Sequence, residues 1–71
     1  MKTLGRRPSR RLSFEDAVTV WFRHWSGEFQ NRIAAHFDVN PGRINEVLKQ
    51  HLHPDSYEEA LRRSGRARGV A

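Results

Sequence analysis

Residues Ile33 to Leu48, "IAAHFDVNPGRINEVL", decide how this chain folds. Apolar residues keep helical spacing up to Phe37, are interrupted by Asp38-Val39-Asn40-Pro41, and resume that spacing at Ile44. Asn is a good helix N-cap, and proline in the first helical position gives up an N–H that has no partner there. Proline also turns the residue before it away from helical backbone angles, so one continuous helix through Asn40 is disfavoured. The break is therefore written into the sequence. Two short helices meet at an angle, the second with Ile44, Val47, Leu48 and Leu52 inward and Gly42, Arg43, Glu46, Lys49 and Gln50 outward.

Working outward from this corner, a first helix is expected over about 14 to 25. "SFED" has the form of a capping box, with Ser13 accepting from the Asp16 amide and the Asp16 carboxylate reaching back. At 100° per residue Phe14, Ala17, Val18, Trp21, Phe22 and Trp25 share one arc, and Ser26-Gly27 ends the helix. Both tryptophans are expected in the core, and any part left uncovered would favour a dimer contact. A second helix over about 28 to 37 carries Phe29, Ile33, Ala34 and Phe37 on one face. The third runs from 41 to about 51. Ser56 and Glu59 repeat the capping-box pattern before a short last helix that ends at Gly65. The expected fold class is all-α: three core helices plus a short C-terminal one over residues 13 to 64.

Composition bounds the rest. The chain has 71 residues and 37% apolar residues, so it holds one domain at most. A chain of this size buries only ~60% of the surface it exposes when unfolded. It has no cysteine, which fits a reducing compartment. No apolar run nears the ~18 residues of a membrane span, and the basic start is not followed by the apolar stretch of a secretory signal. A cytoplasmic protein without a membrane partner is the expectation.

Charge is unevenly spread over the net +5. Residues 1 to 11 hold Lys2, Arg6, Arg7, Arg10 and Arg11 with no acid, and residues 62 to 71 hold Arg62, Arg63, Arg66 and Arg68 with none. Both ends lack periodicity, and the sequence predicts disordered basic arms at 1 to 12 and 65 to 71. Such arms either track a polyphosphate backbone, releasing counterions, or serve only as solvated tails.

Two short helices joined by a tight turn form a helix-turn-helix. Residues 30 to 49 resemble that motif in phage repressors and their small bacterial relatives. The resemblance is carried by Ala34, Phe37, Val39, Ile44, Val47 and Leu48, and "NPGRINEVL" is similar to their recognition-helix region. It implies double-stranded DNA as the partner, transcriptional or mobile-element control as the role, and a possible homodimer on two half-sites. Two departures stand out. Asp38 occupies the turn position usual for glycine, although Asp tolerates left-handed backbone better than most residues. Pro41 and Gly42 open the second helix, where the family commonly presents base-reading side chains.

Contacts then fall on Asn40, Arg43, Asn45, Glu46 and Lys49, with Gly42 allowing close backbone approach. Arg43 suits guanine O6 and N7, Asn45 adenine N6 and N7, and Glu46 cytosine N4. Lys49 and Arg43 equally suit phosphates. Arg6, Arg7, Arg10 and Arg11 are expected to supply non-specific affinity, along the backbone or in a minor groove.

Other chemistries find less footing. His24, His36, His51 and His53 do not have the spacing of a zinc site, and no metal or cofactor is expected. No serine has a matched base and acid, and there is no glycine-rich phosphate loop, so an enzyme is not expected. The competing class is a protein-interaction module, such as an antiactivator or adaptor, using this fold without base readout.

Overall fold

The computed structural model describes residues 11–65; expectations for residues 1–10 and 66–71, including the contacts of Arg6, Arg7 and Arg10, lie outside them. The described residues are all-α, with helices α1 (Phe14–Trp25), α2 (Gln30–Phe37), α3 (Pro41–Leu48) and α4 (Asp55–Ser64) and no strand among them. Among the helices, α1 packs chiefly against α4 and α2 chiefly against α3, while α1 also reaches α2 and α3. None of them is long and apolar enough to cross a membrane.

Helix α1 opens with the expected capping box: the Asp16 amide donates to Ser13 Oγ and the Ser13 amide to Asp16 Oδ2, each at 3.0 Å. Its buried face is broader than the expected arc. Val20, absent from that arc, is fully buried, because α4 covers one flank while α2 and α3 cover another. Phe14 stays at the edge, against the His53 ring. Trp21 is buried, whereas Trp25 and Phe22 are half-buried. The core also takes in Leu12, which the sequence places in the arm; it is 6% exposed. His53 Nε2–H donates to the Leu12 carbonyl at 2.8 Å, fastening this segment to the α3–α4 loop.

Three other expectations are corrected. Helix α2 starts at Gln30, not near residue 28, and Phe29 precedes it with 72% exposure instead of facing inward. Helix α3 stops at Leu48, not near His51, so Leu52 lies half-buried in the following loop. Ser56 does not cap α4: Pro54 holds that position without a side-chain bond. Instead Ser56 is fully buried, and its Oγ accepts from Trp21 Nε1 at 3.1 Å. An indole N–H taken out of water needs such an acceptor, and this need outweighs the weaker benefit of an exposed cap.

A left-handed residue closes every one of the four described helices: Gly27, Asp38, Gln50 and Gly65. At the first three the backbone bonds are those of a Schellman motif. In α2, Val39 N–H donates to Ala34 O and Asp38 N–H to Ala35 O; in α3, His51 N–H donates to Glu46 O and Gln50 N–H to Val47 O. Asp38 thus takes over the turn position at φ 58, ψ 47.

Candidate nucleic-acid interface

The surface in question begins with the corner between α2 and α3. After the left-handed Asp38, Val39 is tucked into the core at 9% exposure and draws the turn inward. Asn40 then returns to extended backbone, and its Oδ1 accepts from the Gly42 amide at 2.7 Å. Pro41 is the first helical residue. Ile44 and Val47 are fully buried beneath α3, so the helix is held down along one side. Its opposite side faces solvent.

On that side Gly42, Arg43 and Lys49 are exposed, Glu46 is partly exposed in mid-face, and Asn45 lies half-buried on the flank. Arg43 Nη1 donates to Glu46 Oε1 at 3.1 Å, so two of the residues singled out by sequence are brought into contact. Asn40 is exposed, but its amide oxygen serves the cap. That leaves N–H donors, which suit a phosphate oxygen better than the paired donor and acceptor of adenine. Gly42 has a structural reason of its own, since an added Cβ would lie 3.1 Å from Asn40 Oδ1. Lys49, at the C-terminal end of α3, has a charge that also suits the helix dipole. Arg11 is exposed, and the residue after it, Leu12, is tied through its carbonyl to His53 in the loop that follows α3.

Electrostatics of the described residues differ from the picture of basic ends. Arg62 and Arg63 belong to α4 and are engaged by acids: Arg62 pairs with Glu59, and Arg63 bridges Glu59 at 2.6 Å and Glu15 on α1 at 2.8 Å. The Arg63 hydrogen bond holds the Glu15 carboxyl below the usual carboxylate range, and bonds from Arg62 and Arg63 do the same for Glu59. Arg23 is paired with Glu28. Seven basic residues face eight acids between 11 and 65, so this segment is not itself basic.

Arg32 is a cation that the sequence pattern did not single out. It is exposed in the first turn of α2 and has no ion pair among the described residues. The signal was available in "QNR", a polar run opening a helix that is otherwise apolar on its buried face.

No protein-family model matches this sequence, and no curated protein or solved structure matches it. Among the described residues no group of three or more His, Asp or Glu is placed to hold a metal ion. His24 and His36 pack edge-on against Trp21 and Phe37.

Proposed function

We propose that this chain binds double-stranded DNA through a helix-turn-helix made of α2 and α3, braced by α1 and extended by α4. The role is that of a small transcriptional or mobile-element regulator, with α3 entering the major groove. One observation carries the proposal: α3 is anchored by fully buried Ile44 and Val47 while Gly42, Arg43 and Lys49 stand in solvent on its other side. Arg43 and Glu46 then meet base edges, and Lys49 with Arg32 meets phosphates. Arg32 suits the helix that crosses the backbone in such motifs. Since residues 12 to 65 carry six basic residues against eight acids, much of the affinity is assigned to Arg6, Arg7, Arg10 and Arg11. Two half-sites would call for a homodimer, and the exposed Phe29 offers apolar surface for one.

The test is the dependence of duplex affinity on salt. For the full chain, log K falls linearly with log salt, and deleting residues 1 to 11 flattens that slope by roughly one unit for each phosphate the arm neutralises. An unchanged slope removes the arm from the proposal. A full chain that fails to bind duplex at low salt removes the proposal itself.

A protein-interaction module is the second reading. It is favoured by the slight acidic excess of the described residues and by Phe29, which is 72% exposed. It predicts the absence of duplex binding in that same titration.

A further inference from the structure

We infer that Arg43 and Glu46 act as one unit that recognises a G·C base pair. This rests on the DNA-binding proposal and names what α3 would select.

The two side chains are already joined, Nη1 to Oε1 at 3.1 Å, yet remain open to solvent at 54% and 43% exposure. They lie one helical turn apart, and the helix that carries them is held down by Ile44 and Val47, both fully buried. On the N-terminal side the same face carries Gly42, with no side chain to hold the pair away from a groove floor.

The chemistry of the pair matches one base pair better than the other. A guanidinium has five N–H donors, and donating to Glu46 leaves others for guanine N7 and O6. The carboxylate retains lone pairs that accept from cytosine N4–H2. In a Watson–Crick pair, guanine O6 and cytosine N4 are hydrogen-bonded neighbours, so the major-groove edge reads acceptor, acceptor, donor. Arg43 and Glu46, held at hydrogen-bond spacing, present donor, donor, acceptor. An A·T pair reads acceptor, donor, acceptor, then methyl, which sets the guanidinium against adenine N6–H2 and the carboxylate against thymine O4.

Glu46 also acts against wrong sites. Where no base donor meets it, its carboxylate repels the phosphates around it and keeps Arg43 partly engaged. Discrimination then comes from a repulsive element as well as an attractive one. An exposed ion pair contributes little to stability, so its exchange need not disturb the fold.

The experiment equilibrates the full chain with a duplex pool of randomised sequence, sequences what is retained, and titrates random duplex separately. The wild type is expected to fix one G·C pair, with roughly tenfold weaker binding when it is replaced by A·T. Glu46→Ala should lose that preference, bind random duplex several-fold more tightly and show a steeper salt slope. Arg43→Lys should lose the preference, because lysine lacks the planar fork. Far-UV circular dichroism confirms that each variant is folded. A wild type that binds duplex without G·C preference overturns the inference and leaves the DNA-binding proposal standing, as does a Glu46→Ala variant that selects the same bases. A wild type that retains no duplex at low salt overturns both.

Discussion

Asn40 and Ser56 are both small polar residues standing before a run of helical periodicity, yet they do different things. Asn40 caps α3 through its side-chain oxygen, in solvent, two residues from its partner. Ser56 sits inside the first turn of α4, fully buried, and accepts from Trp21 on α1, 35 residues away. Helix α4 begins instead at Asp55, with Pro54 in the cap position and Asp55 and Glu58 near its positive end. A cap is a local arrangement between neighbours in sequence. A buried indole N–H creates a demand from elsewhere in the chain, and a serine within reach is drawn to meet it.

The two helix starts should accordingly respond differently to loss of the side-chain oxygen. Ser56→Ala leaves the Trp21 N–H buried without an acceptor and should cost about 1–3 kcal/mol. That is a large share of the stability of so small a domain; equilibrium urea unfolding measures it, and a neutral result would break the contrast. Asn40→Ala should cost about 1 kcal/mol, while Asn40→Gly costs only a few tenths, since glycine is itself an acceptable N-cap. Equal losses for the two would show that the Asn40 oxygen is not what starts α3.

The end of α3 sharpens the comparison further, because it depends on backbone geometry alone. Gln50, at φ 63, occupies a position that favours glycine. Gln50→Gly should stabilise by roughly 0.5 kcal/mol, the ~1 kcal/mol of relieved left-handed strain less the extra entropy that glycine loses on folding. A rise of a few degrees in Tm would bear this out, and a fall would contradict it.

The smallest expected effect concerns pH. Glu15 and Glu59 have carboxyl pKa values lowered in the fold by their bonds to Arg63 and Arg62. Groups lowered in this way contribute stability above their unfolded values and lose it as pH falls through the folded ones. Glu15 is exposed and Glu59 partly so, and the effect is therefore screened by solvent and salt. Unfolding curves of the wild type should therefore show a slight loss of stability below the ordinary carboxylate range. Arg63→Met should reduce that loss.

Much of this architecture is legible in the sequence, for a physical reason. Ser13, Asp16, Asn40 and Pro41 act on neighbours within three residues, so helix starts α1 and α3 follow from local chemistry. The ends at Gly27 and Gly65 are legible because glycine marks left-handed backbone, and Asp38 is admissible on the same ground. Gln50 carries no such mark, so the periodicity alone makes α3 too long. Ser56 and Phe29 depart from expectation because their environments depend on packing between distant segments. On the candidate surface, outward positions follow from periodicity. The pairs Arg43–Glu46, Arg62–Glu59 and Arg63–Glu59 have the spacing that sets charges side by side on a helix, whereas the reach of Arg63 to Glu15 on α1 is settled in three dimensions.

Helix α3 is the element proposed to meet DNA, and backbone amide mapping of the full chain with random-sequence duplex across a salt series tests this most directly. The amides of residues 40 to 50 should shift on titration, and their shifts should persist at salt concentrations that release purely electrostatic contacts. Shifts confined to residues 1 to 11 and 66 to 71 at every salt concentration would contradict it.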